Sequence, residues 1–223
     1  MRSMLRVLLY SLLGLMLTLF LGCSSGQNVS PQPAPTTEVS SEAVAPQASK
    51  VKVKFKREDG TEAFSLEFRS DGAKLEGANG DELARFTVDD NQKVKVKNAT
   101  DTALAYIVSD SDKWKVENAD QTKELYILRR QSDGDYKFET GSDQDIYRVK
   151  QRDYGFEIET PDKVSVYKVK LKEGKLSLRD ASDQTVLYTK DPLTPIALAP
   201  FGFKELTPEQ QAGLAYALHR AGS

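Results

Sequence analysis

The sequence predicts a mainly β domain: an antiparallel meander of about 12–14 strands, built from 20-residue hairpin repeats and closed as a barrel around a C-terminal hydrophobic helix. Three observations predict it. Apolar pairs spaced by two recur every twenty or so residues beyond residue 50, turn-forming pairs separate them, and an apolar helical stretch ends the chain.

The period comes first. Val53/Phe55, Leu75 (with Gly77), Val94/Val96, Trp114/Val116, Tyr136/Phe138, Phe156/Ile158 and Leu176/Leu178 form one series. From Phe55 its steps are 20, 19, 20, 22, 20 and 20. A second series interleaves as Leu66/Phe68, Phe86/Val88, Tyr106/Val108, Tyr126/Leu128, Tyr147/Val149, Tyr167/Val169 and Tyr188, with steps of 20, 20, 20, 21, 20 and 21 from Leu66. Each half-repeat alternates apolar with polar, as a strand with one wet face does. Lys93-Val94-Lys95-Val96-Lys97 and Tyr167-Lys168-Val169-Lys170-Leu171-Lys172 put lysines on one side and apolar groups on the other. Asp59-Gly60, Asp71-Gly72, Asp90-Asn91, Asp133-Gly134 and Glu173-Gly174 lie between strands and tolerate the positive φ of tight hairpins. One repeat is therefore one hairpin. Twisted open sheets seldom exceed about ten strands, so so long a meander is expected to close.

The last segment is expected to fill the barrel. Thr207-Pro208-Glu209-Gln210 offers an N-cap, a proline at the first helical position and a glutamine three residues after the cap. Ala212-Gly213-Leu214-Ala215-Tyr216-Ala217-Leu218 then has no polar face, and such a helix is normally buried. Leu193 to Phe203, rich in proline and aromatics, is read as a strap carrying the chain across an end of the barrel. This order of elements resembles the tubby C-terminal-like fold, shared by tubby domains, the plant LURP-one-related proteins and the scramblase group. The resemblance covers roughly residues 51 to 220 and implies twelve antiparallel strands around a hydrophobic C-terminal helix, which leaves the first hairpin, Val53 to Phe68, without an assigned place. Relatives that bind membranes do so through basic phosphoinositide pockets, and no residues here match one. Rival architectures are a half-barrel lipid carrier with a helical lid and a β-propeller, whose blades need about 40 residues.

The N-terminus divides the chain further, into 1–22, 23–50 and 51–223. Arg2 and Arg6 precede an apolar run from Val7 to Leu21, shorter than the roughly 20 residues a spanning helix needs and suited to a signal peptide. Gly22 and the single cysteine of the chain, Cys23, follow it. Leu19-Phe20-Leu21-Gly22-Cys23 resembles the cleavage box of a bacterial lipoprotein, with Phe20 where the pattern most often has leucine. The resemblance implies removal of residues 1–22, acylation of Cys23 and membrane attachment through it. An ordinary secretory leader would leave one reactive thiol to be explained. Because Ser24 follows the cysteine, the same resemblance implies the outer membrane of the cell envelope. From Ser24 to about Lys50, Pro31, Pro33, Pro35 and Pro46 stand among Ser, Thr, Ala and Gln without an aromatic residue. Such a segment reads as a disordered tether reaching about 30 Å on average.

Charge and chemistry exclude several function classes. Cleavage removes two of the 31 basic side chains and none of the 33 acids, which turns a net charge of −2 into −4. Without a basic excess, nucleic acid is an unfavourable partner and anionic lipid headgroups are poor ones. His219 is the sole histidine, which leaves no transition-metal site and no Ser-His-Asp arrangement, and it is read as a solvated or capping residue. Asp110-Ser111-Asp112 and Asp133-Gly134-Asp135 read as ordinary Asx turns rather than calcium loops. Tyr106, Tyr126, Tyr147, Tyr167 and Tyr188 recur at one repeat position and read as hairpin packing rather than a ligand ladder, and Trp114 likewise. No catalytic residue, metal ligand or cofactor is assigned. The expected function is a non-catalytic envelope lipoprotein that contacts an unidentified envelope protein. The alternative is a carrier of lipid or a small apolar ligand in the barrel interior. A helix that fills the barrel would leave such a carrier no room.

Overall fold

Alternation and short turns produce fourteen antiparallel strands within residues 50–222, the part of the chain that the computed structural model describes. The expected signal peptide, Cys23 and the expected tether up to residue 49 lie outside the described residues. The strands are β1 (Val51–Lys56), β2 (Glu62–Arg69), β3 (Gly72–Gly77), β4 (Glu82–Val88), β5 (Val94–Asn98), β6 (Ala103–Asp110) and β7 (Lys113–Asn118). They continue as β8 (Glu124–Arg130), β9 (Tyr136–Thr140), β10 (Asp145–Arg152), β11 (Gly155–Glu159), β12 (Ser165–Lys172), β13 (Lys175–Asp180) and β14 (Thr185–Thr189). Each pairs with its neighbours in sequence, and β14 meets β1 at Lys56↔Tyr188 to close the barrel. The first hairpin is thus part of the wall: β1 pairs with β2 on one side and supplies the closing strand on the other. No helix among the described residues is long and apolar enough to cross a membrane.

The period of twenty has a geometric consequence. Connections that follow odd-numbered strands gather at one rim, here the upper rim, and those that follow even-numbered strands gather at the lower. All seven upper-rim hairpins carry a one-residue register shift, as between Phe55 and Lys56, Val96 and Lys97, or Leu178 and Arg179. The six lower-rim hairpins run in unbroken register. A bulge bends its strand and raises the local twist, so a ring of bulges at one end supplies the curvature a closed sheet needs. Asx side chains hold the turns: Asn98 Oδ1 accepts from the Thr100 and Thr102 amides, and Asp180 Oδ1 from those of Ser182 and Gln184. Asp101 and Asp183, at φ of 65° and 62°, take the left-handed position between them.

The inner faces of the strands form the core: Phe55, Leu66, Phe138, Ile158 and Leu178 are wholly buried, with Phe64, Phe68 and Tyr167 partly buried against them. Two pieces of the C-terminal chain fill the space they enclose. Helix α1 (Pro208–Ala221) packs on β3 to β7. Thr207 Oγ1 accepts from the Gln210 amide at 3.3 Å while Gln210 Oε1 accepts from that of Thr207 at 3.1 Å, the reciprocal cap expected of this segment. Gly213 faces the wall so closely that a Cβ there would stand 2.8 Å from Val96 Cγ2, so only glycine lets the helix approach. The 3-10 segment Pro195–Gly202 packs on β11 to β13 and on α1. The expectation of a strap across the end is corrected here: Ala197, Leu198 and Ala199 are wholly buried, so the segment is a second plug beside the helix. Its sequence of small and apolar residues has no polar side to turn outward. Phe203 follows, stacked on Phe138 at 4.3 Å and on Tyr147 at 5.7 Å between ring centroids.

Candidate binding surface

The interior of the barrel is filled by its own chain, so the groups open to other molecules lie on the wall and rims. Among the described residues no group of three or more His, Cys, Asp or Glu side chains converges as a metal site would require. The residues singled out in the sequence are placed as follows. His219 is half-buried, its ring edge-on to Phe68 at 4.9 Å and its Nδ1 accepting from the Thr194 amide at 3.3 Å, and burial lowers its pKa. It ties the helix to the segment entering the barrel and is neither solvated nor a cap. Asp133 accepts from the Asp135 amide in an Asx turn, and Asp135 ion-pairs with Lys150 and accepts from the Gln151 amide. Trp114 is buried in the core beside Tyr136.

The tyrosines part company. Tyr126, Tyr147 and Tyr167 belong to the core, with the Tyr147 hydroxyl donating to Glu205 at 3.2 Å and its pKa pushed up to about 12, first by desolvation. Tyr106 and Tyr188 lie on the outer wall instead, near Lys93 and Lys95 in one case and under Lys175 in the other. Inner-wall partners in these two strands are Ala105, Ile107 and Leu187. Connections differ in length, and a drift of one residue exchanges the faces of a strand, so counting in twenties fails at β6 and β14.

Most of the outer wall is zipped by cross-strand ion pairs. Glu76 accepts from Lys52 at 2.6 Å and pairs with Lys74 at 2.9 Å, and these two cations hold its carboxyl down to about 2. Its contribution is in place above the ordinary carboxylate pKa of 4.5 and is lost as pH falls through about 2. Because Lys52 is 40% exposed, solvent screening trims the effect. Glu76→Gln is expected to cost on the order of 1 kcal/mol near neutral pH and nothing near pH 2. Urea midpoints of both chains at the two pH values check this, and a difference independent of pH contradicts it.

One sector breaks the pattern. On the outer wall of β12, β13 and β14, a groove of about 460 Å3 runs between Lys170 and Lys172 on one side and Lys190 on the other, with Lys175 and Arg179 along it. Ser177 forms the floor at 4% exposure, its Oγ donating to the Lys170 carbonyl at 3.3 Å. Register puts Lys172 directly opposite Lys175 and Lys168 directly opposite Arg179. Asp183 answers Lys170 at 2.6 Å and Arg179 at 3.4 Å, and these contacts, the Lys170 hydrogen bond foremost, lower its pKa. Glu173 lines the groove at its turn, exposed and outside any ion pair. The sequence showed only the lysines of β12. Lys175, Arg179 and Lys190 join them through strand pairing, and the readable signal was the Glu173-Gly174 turn, which sets Lys172 against Lys175. The chain is acidic in sum, yet folding gathers a basic cluster that its linear order does not display.

No family model matches the chain, and no curated protein matches it. Among solved structures, one of a protein from Arabidopsis thaliana is similar at 15% identity, over 67% of this chain and 85% of that one, with a TM-score of 0.35. The fold stands on this chain's own pairing: fourteen strands close the barrel, two more than the twelve implied by the tubby-like resemblance.

Proposed function

We propose that the chain is a non-catalytic lipoprotein of the bacterial cell envelope, held at a membrane by acylated Cys23 and presenting the outer wall of its barrel to a protein partner. The observation that carries this reading is the filled interior: α1 and the 3-10 segment occupy the space in which a carrier would hold cargo. The lone histidine is committed to packing on Phe68 and to the Thr194 amide, which supports a binding rather than a catalytic role. Ser24 after Cys23 favours the outer membrane, and the proline-rich stretch gives the domain reach. Lipid or small-ligand carriage needs the barrel to open, so cargo co-purifying with the protein would replace this reading.

A Cys23→Ser chain is expected to lose lipid labelling and retention in the membrane fraction. Unchanged retention contradicts the acyl anchor. Photo-crosslinkers placed along the outer wall in the native cell are expected to capture a protein, and adducts confined to lipid at inner-wall positions would contradict the protein-binding role.

A further inference from the structure

The groove of β12–β14 assigns a chemistry to that partner; this inference rests on the outer-wall reading above. We propose that the groove binds an acidic polypeptide segment, whose carboxylates seat on Lys172, Lys175 and Lys190.

Like charges placed directly opposite on neighbouring strands destabilise a sheet. Here Lys172 faces Lys175 and Lys168 faces Arg179. Elsewhere on the wall most comparable juxtapositions are relieved by acids on both sides, Lys113 opposite Arg129 being relieved only at the arginine. Arg129 faces Lys137, but Glu139 pairs with both, and Asp143 and Asp145 add to them. In the groove, Asp183 relieves only the upper end, where it bridges Lys170 and Arg179. Lys172, Lys175 and Lys190 at the lower end take part in no ion pair among the described residues. Lys175 rests 4.0 Å over the Tyr188 ring. The repulsion is relieved when an anion arrives.

Asp183 shows which anion suits the site, since its carboxylate already occupies the upper end between Lys170 and Arg179. Lys172 stands directly opposite Lys175, and Lys190 follows Thr189, the partner of Leu176, so the three lysines form one row across neighbouring strands, about 4.8 Å apart at the backbone. A polypeptide laid along that row crosses the strands, and the lysines meet its carboxylates on their flexible four-carbon stems. The floor at Ser177 is recessed between the side chains of β12 and β14, so a flat bilayer surface meets the lysine tips but not the groove.

The test uses the full chain in detergent micelles with poly-L-glutamate as probe, followed by fluorescence anisotropy at rising salt. Binding is expected to weaken with salt, because exposed charges are screened. The triple variant Lys172→Glu, Lys175→Glu, Lys190→Glu is expected to bind at least about tenfold more weakly. A matched triple, Lys95→Glu, Lys113→Glu, Lys123→Glu, changes net charge equally on other strands and should stay within about twofold of the parent. Equal losses in the two triples would overturn the site, as would absence of binding by the parent chain. Tighter binding of polyphosphate or of phosphatidylglycerol vesicles than of polyglutamate would overturn the choice of partner. Lys172→Glu alone gives a second readout: it replaces a repulsive cross-strand pair by an attractive one, so it should melt no lower than the parent while binding less. A Lys172→Glu chain that binds as tightly as the parent also overturns the proposal. A protein crosslinked elsewhere on the wall would refute this groove while leaving the outer-wall reading in place.

Discussion

A chain ending at Leu206 is expected to lose cooperative folding altogether. The truncation removes α1, and with it Leu214 and Leu218, each wholly or almost wholly buried and each contributing about 1.5–3 kcal/mol through removal from water. Tyr216, Ala212, Ala215 and Ala217 leave as well, and Phe86, Val96 and Ile107 on the inner wall would face a water-filled lumen. Residual cavities add their own cost. The sum rivals the roughly 5–15 kcal/mol that holds a typical domain together. Urea titration followed through the single tryptophan, Trp114, should show no sigmoidal transition in the truncated chain. A transition with the midpoint of the parent would mean that the wall does not need its plug.

The second large effect is expected at Phe203. Its ring joins the inner wall to the end of the 3-10 segment, 4.3 Å from Phe138 at an interplanar angle of 15° and 5.7 Å from Tyr147. Replacing a buried phenylalanine by alanine costs about 3–5 kcal/mol. For a domain of this size each kcal/mol lowers the melting temperature by about 2–4 °C. Phe203→Ala is therefore expected to melt lower by roughly 6–20 °C. Leu171→Ala is the internal comparison: Leu171 is 52% exposed, so the change should stay within about 0.5 kcal/mol. Similar shifts for the two variants would contradict the placement of Phe203 in the core.

Both effects concern the plug. A barrel of this strand number could enclose a ligand if nothing occupied it. Here the polypeptide occupies it with two structurally different pieces, a capped α-helix against β3–β7 and an apolar 3-10 turn against β11–β13. Along the wall, ion pairs such as Glu76 with Lys52 and Lys74 neutralise the charge locally. The sector of β12–β14 departs from that rule by gathering Lys172, Lys175 and Lys190, none of them in an ion pair among the described residues, along one groove.

Much of this was legible because the repeat is both regular and physical. Twenty residues per hairpin, the turn pairs at Asp59-Gly60 and Glu173-Gly174, and the apolar run after Thr207 each follow from local chemistry that acts without the rest of the fold. Other features depend on register. The ring of bulges beneath the upper rim inserts Ala63, Leu83, Leu104, Leu125, Ile146, Val166 and Val186, all aliphatic, which local reading takes for ordinary strand residues because only the pairing shows that each lacks a partner. Left-handed positions filled by Gln92, Ser111, Gln121 and Lys163 escape a search for glycine and asparagine. Tyr106 and Tyr188 shared a repeat position with Tyr126 yet turned outward, because one residue of drift reverses a strand's faces. The groove was hidden for the same reason: Lys175 and Arg179 lie on β13 and Lys190 directly after β14, and only pairing brings them beside Lys172. Phe203 was read within a strap at the end of the barrel because its stacking partners, Phe138 and Tyr147, are more than fifty residues away in the chain.

The central claim is that the C-terminal helix is the core of the barrel. Amide hydrogen exchange of the intact protein tests it most directly, since protection measures how much of the fold must open to expose a given amide. The amides of Leu214 to Leu218 are expected to exchange as slowly as those of β5 and β6, through global unfolding alone. Exchange of those helix amides at rates close to those of the exposed turns, with β5 and β6 still protected, would contradict the account.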